Sequence, residues 1–486
     1  MLKGKKVLCV ATALLMIVPM MFTGCKKAAV VAKTPVTLTV WLAGDAQQGV
    51  TRIDTAVNAY LKTKGSNISV NIQMMGWGDD FNTKASTMFT TGGSDADIVF
   101  TCNWVDKYRQ NANSGYLVDL TSDLKTTEGK AITKILGQDF LNGSKIQGKN
   151  FALPVNKEKA HDWGFLVRTD LYTKYNMASA SIKTMADMEP FYAMAKADNV
   201  IPLDIAAFDS PWHFLDWDMV SDDGIPAAIN DTTNKVVDPF TDPTSVALYN
   251  TLKGYADQGY ISKDATTSQG IDADLKTGNY FCGVDSLKPG KDKEESQSTG
   301  VNYTQIDITP IVKSNRETTG AMLGINVNSK YKADSFDFLY MLYNDPILVN
   351  MINFGQVGTD YTQDATTKAI TPIKSDYTYG QGWSFGNQFN DFLLSTEKST
   401  KWADFAAFNA KATVLPSLGF MYDDTAMQTQ EAALGTVVNT YYKQLLAGQV
   451  DVTKTVAEMS TKLDAAGEAA FLQDIQKQYD AFPKAK

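Results

Sequence analysis

The chain has 486 residues, 44% of them hydrophobic and 11% aromatic, with 45 lysines and arginines against 54 aspartates and glutamates. A net charge of −9 excludes nucleic acid as a main partner, because that binding rests on clustered Lys and Arg that neutralise phosphates. The length exceeds what one hydrophobic core organises, so two or more domains are expected.

The first residues are basic at Lys3, Lys5 and Lys6. A run from Val7 to Met21 follows, apolar except for Thr12 and Pro19, and Thr23 and Gly24 stand directly before Cys25. This order predicts a cleaved secretory signal over 1–24. The run of 15 residues is short of the ~20 that a spanning helix needs, and Pro19 disfavours a straight one. Small residues before a cysteine resemble a bacterial lipobox, which implies lipidation of Cys25 and anchoring on the outer face of the cell membrane. Phe22 departs from the aliphatic residue usual there, and a secreted form without lipid is the alternative. Removing 1–24 takes away three lysines and no acids, so the net charge becomes −12. Beyond Cys25 only Cys102 and Cys282 remain, too few for a disulfide scaffold. They read as two free, half-buried thiols, or as a pair if the fold brings them within reach.

After a tether over Lys26–Thr34, "VTLTVWLAGD" alternates as a strand does and ends in a Gly-Asp turn. Val50, Ile53, Val57, Tyr60 and Leu61 share one helical face, closed by Gly65. "NISVNIQMM" reads as a strand, Phe81, Ala85, Met88 and Phe89 as a helix, and "ADIVF" as a short buried strand. The alternation resumes with "WGFLVR", a helix over 184–197, strand "VIPLDI", a helix over 243–257 and strand "NYFCGV". Such a pattern predicts an α/β fold with a largely parallel sheet. "KPGKDKEESQSTG" reads as a polar loop. "SFDFLYMLY" and "PILVNMINF" read as helices, a Gly/Tyr/Trp-rich loop spans 354–386, and helices are expected over 401–412, 425–446 and 453–479.

Several motifs fail on context. "GWSFG" (382–386) has the G-x-S-x-G spacing, but polar residues precede it and the only histidines, His161 and His213, lie upstream. "GSKIQGKN" (143–150) nearly matches a phosphate loop, yet Asn150 replaces the Ser or Thr and a strand-like "FALP" follows. "DADLKTG" (272–278) starts like a calcium loop but has Lys276 at its fifth position. No metal or cofactor is indicated. Six tryptophans, at 41, 77, 104, 163, 212 and 383, stand near Gly, Asp, Asn or Pro at the ends of predicted elements, where α/β folds hold ligands. An indole face suits the C–H side of a sugar ring, with nearby Asp, Asn and Gln for its hydroxyls.

The order of "VTLTVWLAGD", "DADIVFTCNW…SGYLVDLT", "IQGKNFALPVN", "WGFLVRTDLYTKYNM", "NYFCGV", "WSFGNQF", "LGFMYDD" and "LAGQVDVTKTVAEMSTKLDAAG" resembles the extracellular solute-binding proteins of bacterial carbohydrate ABC importers, in a lipoprotein subgroup with an additional C-terminal section. "FALP" stands where that family more often has Tyr-Gly-Leu-Pro. The resemblance implies a two-lobed, periplasmic-binding-protein-like α/β fold with a hinge and a mainly helical C-terminal section. One lobe would be 36–153 plus 308–353 and the other 154–307 plus 354–486, behind a signal over 1–24 and a lipidated tether over 25–35. It implies capture of a sugar or oligosaccharide between the lobes, delivery to the transmembrane subunits of a permease, no catalysis, no cofactor, membrane contact through lipid on Cys25, and a monomer. Carried over by position, the ligand wall on one side would be Asp45, Trp77, Asn103 and Trp104. The other would be Trp163, Trp212, His213 and Asp285, with Trp383 reaching in from the C-terminal section. Asp45 can also be a turn or helix cap, and His213 can serve a local hydrogen bond. The rival readings are a cell-surface polysaccharide hydrolase and a sugar sensor for a signalling receptor.

Overall fold

The computed structural model describes residues 33–483 apart from 207–209, 221–223, 231 and 269. The signal segment and Cys25 lie outside the described residues. The first third runs β1 (Val36–Leu42), α1 (Val50–Thr63), β2 (Ile68–Met74), α2 (Gly78–Thr90), β3 (Ile98–Thr101), α3 (Tyr108–Asn113) and β4 (Ala152–Pro154). Next come β5 (Asp162–Arg168), α4 (Glu189–Ala197), β6 (Ile201–Leu203), α5 (Pro243–Asp257), β7 (Tyr280–Leu287), α6 (Lys291–Thr299) and β8 (Tyr303–Asp307). The chain then returns through β9 (Met322–Ile325), α7 (Lys332–Asn344) and α8 (Pro346–Phe354), and ends in α9 (Lys401–Lys411), α10 (Gln428–Leu446), α11 (Val452–Ala466) and α12 (Glu468–Ala481).

Two mixed sheets organise two cores, in place of the largely parallel sheet that the alternation predicts. The first has strand order β2-β1-β3-β9-β4 and the second β8-β5-β7-β6. In the first, β1 runs parallel to β2 and β3, whereas β9 is antiparallel to β3 and β4. The reversal has a simple cause: β9 is the strand on which the chain comes back from the second lobe, so it enters from the opposite end. In the second sheet β5 is antiparallel to β7 and β8, and only β6 with β7 is parallel.

α1 forms because Ile53, Val57 and Leu61 fall on one buried face against β2. The long helical pattern expected over 453–479 is broken into α11 and α12 at Gly467, whose φ of +93° suits a residue without Cβ. The segment read as a polar loop contains helix α6. Its buried face carries charge: Lys291 pairs with Asp285 at 2.7 Å and with Glu295 at 3.4 Å, so no apolar stripe marks it in the sequence.

The chain crosses between the cores three times, through 156–161, 308–320 and 387–415, as the membership of flanking residues in each core shows. The crossings lie side by side. His161 and Val312 exchange backbone hydrogen bonds at 2.9 Å, Val312 pairs with Thr413, and Gln388 donates to the Asn156 carbonyl at 3.0 Å. A largely buried chain of charges joins the first and the third: Lys157 contacts Glu158, Glu158 lies 3.3 Å from Lys288, Glu294 lies 3.0 Å from both Lys288 and Lys401, and Glu397 lies 2.6 Å from Lys401. Burial disfavours the Glu294 carboxylate, but Lys288 and Lys401 outweigh it and hold its pKa far below the usual range.

The lobe division differs from the expected one in its last part. Tyr377, Tyr379 and Phe385 join the first core, and Arg52 of α1 binds Asp360 at 2.7 Å, which places 354–386 on the first lobe rather than the second. Phe420, Leu434, Tyr442, Leu463 and Phe471 join the second core. Cys102 and Cys282 form no disulfide and are fully buried in different cores, which rules out their pairing.

Candidate functional site: a cleft between the lobes

Parallel strands β1, β2 and β3 point their C-terminal ends toward the crossings, and β5 starts there. Between them opens a cleft. The first lobe lines it with Asn103, just after β3, and with Arg109 and Gln110 of α3. The second contributes Trp163 of β5 and the segment with His213, Asp216, Trp217 and Asp218; the crossing over 308–320 contributes Arg316 and Thr319.

Trp163 is 2% exposed and stacks on His213 with ring centroids 3.7 Å apart and planes 3° from parallel. His161 meets the edge of the same indole at 6.1 Å. Its Nδ1 lies 2.5 Å from Glu317 Oε1 and its Nε2 lies 3.5 Å from Asp216 Oδ1. Burial works against the imidazolium, yet Glu317 and Asp216 prevail over it and over Arg316 and raise the His161 pKa to about 9. Asp162, one residue on, is pushed up to about 7 by burial and then by Asp307. A His pKa raised above its unfolded value of about 6.5 contributes stability in full below that pH and loses it as pH climbs through about 9. The unfolding free energy of the wild type relative to His161→Gln should therefore shrink by on the order of 3 kcal/mol between pH 6.5 and 9.5. Denaturant titrations across that range check this, and a constant difference would show that His161 does not titrate there.

Beside the cleft the first lobe carries three tryptophans. Trp77, after β2, stacks at 6.2 Å on Trp104 and at 5.8 Å on Trp383, and Trp104 lies 6.1 Å from Trp383. Phe100 of β3 closes the group from below, edge-on to Trp104 and Trp383. Trp104 is 44% exposed, and its indole N–H donates to the Gly320 carbonyl at 2.8 Å, next to cleft residue Thr319. Trp383 comes from a short helical turn, Gly382–Ser384, in the part of the C-terminal section that packs on the first lobe.

Of the sequence-predicted residues, Asn103, Trp163 and His213 line the cleft and Trp77, Trp104 and Trp383 form the adjoining group. Three others are placed elsewhere. Trp212 is 4% exposed in the second core, stacked on Phe240 at 5.2 Å and hydrogen-bonded to Ser245 at 3.1 Å, because the turn after Ser210 sends adjacent side chains to opposite sides. Asp285 is buried against Lys291, outside the cleft lining. Asp45 is an exposed loop residue whose carbonyl accepts from Gln47, also outside the lining. Trp217, Asp216 and Asp218 went unselected although "DWD" supplies an aromatic face between two hydroxyl acceptors; Arg109 and Arg316 had no local signal.

α3 also ties the lobes together. Arg109, 4% exposed, donates to Asp424 Oδ2 at 2.6 Å and Glu431 Oε1 at 2.5 Å, and Asn113 donates to Asp424 Oδ1 at 2.9 Å. The guanidinium lies 5.7 Å from the Tyr422 ring. Asp424 and Glu431 belong to the section packed on the second lobe. Among the described residues no cluster of three or more His, Cys, Asp or Glu could hold a metal ion, and no helix is long and apolar enough to cross a membrane.

Two lobes on crossing segments, with an aromatic and polar cleft between them, make a two-lobed, periplasmic-binding-protein-like fold, the class to which the solute-binding proteins that this chain resembles belong. The chain is 28% identical over 473 residues, 95% of its length and 94% of the relative's, to a carbohydrate ABC transporter substrate-binding protein of Streptococcus pneumoniae serotype 4 (strain ATCC BAA-334 / TIGR4). Its fold matches the N-glycan transport solute binding protein NgtS of Streptococcus pneumoniae with a TM-score of 0.81 at 26% identity, covering 92% of this chain and 99% of that one. The same protein in complex with Man5GlcNAc matches with a TM-score of 0.78 at 26% identity, covering 92% and 98%. Residues 416–484 match a domain of unknown function, DUF3502. The chain is thus similar to sugar and oligosaccharide substrate-binding proteins of ABC transporters over nearly its whole length.

Proposed function

We propose that the protein captures a sugar or oligosaccharide in the cleft between its lobes and delivers it to the transmembrane subunits of an ABC permease, while lipid on Cys25 holds it at the outer face of the cell membrane. The observation that carries this reading is the convergence on one cleft of the Trp163–His213 stack, Asp216, Asp218 and Asn103, with three further tryptophans adjoining. Indoles take the C–H faces of pyranose rings, and carboxylates and amides take the hydroxyls. Ligand clamped by both lobes shifts the population toward the closed form by as much as it binds that form better. The role is binding: no bond of the ligand is made or broken. The glycan complex of NgtS makes Man5GlcNAc a suitable first probe.

Thermal-shift and calorimetric titration with a panel of mono- and oligosaccharides, Man5GlcNAc included, tests the reading. Saturating binding should stabilise the protein by about 2.7 kcal/mol at a ligand concentration one hundred times Kd, with no product formed. Failure of every glycan to bind, with release of reducing ends from a polysaccharide, would replace it with the hydrolase reading. Within this site Trp383→Ala should weaken binding at least about tenfold, the order expected for one lost indole platform, and leave the protein folded. Unchanged affinity in calorimetry would remove Trp383 from the ligand wall.

A further inference from the structure

His161 stands where the first crossing ends and β5 begins, and its ring lies between two carboxylates from other parts of the chain. Its backbone exchanges hydrogen bonds with Val312 of the second crossing at 2.9 Å. Glu317, on that same crossing, places one oxygen 2.5 Å from His161 Nδ1 and accepts the Ser314 N–H on the other at 2.7 Å, so it is fixed from both sides. The far edge of the ring, Nε2, lies 3.5 Å from Asp216 Oδ1. His161 is 6% exposed, whereas the Asp216 side chain keeps 25% of its surface in the wall of the cleft. With a carboxylate at each nitrogen, both ring nitrogens act as donors.

Asp216 is set at the cleft by its backbone as well. It follows the helical turn Pro211–Leu215 with a φ of +50°, a left-handed conformation that Asp tolerates better than most residues. Its N–H donates to the His213 carbonyl at 3.0 Å. Backbone strain of this kind gathers at functional positions. Among the described residues its carboxylate pairs with His161 and with no lysine or arginine. One oxygen on the ring leaves the carboxylate further lone pairs for the hydroxyls of a sugar. The charged groups that face the ring are Glu317 and Arg316 from the second crossing, Asp216 from the cleft wall, and Asp162 beside it on β5, which Asp307 of β8 faces in turn. Against burial and Arg316, Glu317 and Asp216 keep the ring charged up to a pH of about 9.

We propose that His161 is a positioning residue for ligand capture: its ring holds Asp216 in the cleft wall as a hydroxyl acceptor and, through Glu317, ties that acceptor to the first two crossings. The inference rests on the carbohydrate reading above. His161 acts through Asp216, so its contribution to affinity exists only while the carboxylate is there to be held. A sugar hydroxyl on Asp216 is thereby connected to two of the segments that join the lobes.

The test is a double-mutant cycle of His161→Gln, Asp216→Asn and the two together, with affinity for Man5GlcNAc and the other glycans of the panel measured by calorimetry across neutral and alkaline pH. At neutral pH each single variant should bind roughly five- to twentyfold more weakly than wild type. The double variant should stay within about twofold of Asp216→Asn, because the ring then has nothing to position. Wild-type affinity should fall as pH rises through about 9, where the ring gives up its proton, while that of Asp216→Asn stays level. Losses that add in the double variant, or a wild-type affinity that is level with pH, would each make His161 a structural residue and overturn the proposal. Should His161→Gln fail to fold, the pH profiles of wild type and Asp216→Asn decide alone. Proton NMR of the imidazoles adds a measurement that needs no ligand: the His161 titration midpoint should be lower in Asp216→Asn than in wild type. If wild type binds no glycan, the carbohydrate reading fails and the proposal with it; glycan binding with an unmoved midpoint sinks the proposal alone.

Discussion

Replacing Arg109 with methionine is expected to lower the free energy of unfolding by about 3–5 kcal/mol, the usual cost of breaking a buried ion pair from one side. The guanidinium is almost fully enclosed and serves two carboxylates, Asp424 and Glu431, from another part of the chain. Without it both acids stay buried beside α3, where the Asn113 amide donates to Asp424 and the Gln110 amide to Glu431 but neither brings a charge. Denaturant unfolding measures the loss. The triple variant Arg109→Met, Asp424→Asn, Glu431→Gln should recover most of it, because neutral amides remove the charges that were stranded. A loss below about 1 kcal/mol in the single variant is what a solvated surface pair would give, and would show that water reaches the contact. Arg109 also lines the cleft, so the same variant reports whether ligand affinity depends on the tie between α3 and the C-terminal section.

Trp212→Ala is expected to cost about 3–5 kcal/mol as a large-to-small change in a packed core. The indole stacks on Phe240 and meets the edge of Tyr442, a residue of α10, so its loss should also loosen the C-terminal section from the second lobe. Faster limited proteolysis after residue 415 would register that loosening. Trp212→Phe keeps most of the packing and isolates the binding question: its affinity for a bound oligosaccharide should stay within about twofold of wild type. A tenfold loss in the phenylalanine variant would return Trp212 to the ligand wall.

The contrast between Trp212 and Trp163 shows what the sequence could convey about the site and what it could not. Both are tryptophans near turns, and residue type gives no sign that one faces the core and the other the cleft. Asp285 makes the same point with charge: its partner Lys291 stands six residues on in a segment that reads as solvated. Elements with one apolar face were legible, as α1 and α5 were, because burial writes a period of 3.6 into the sequence. α6 was not legible, because its buried face is ionic. Strand β9 was not legible: four buried residues are too few to show a period, and direction within a sheet follows from where the chain has been between strands. The packing of 354–386 on the first lobe depends on distant partners such as Arg52 with Asp360 and Tyr379 with the Ala43 carbonyl, which local pattern does not encode.

The two buried thiols give each half of the molecule its own clock. Cys102 and Cys282 are sealed in separate cores, so alkylation under mildly denaturing conditions, read by peptide mapping, times the opening of each half independently. A solute held by both halves should slow the two reactions together. Protection of one thiol alone would reveal a guest gripped from a single side.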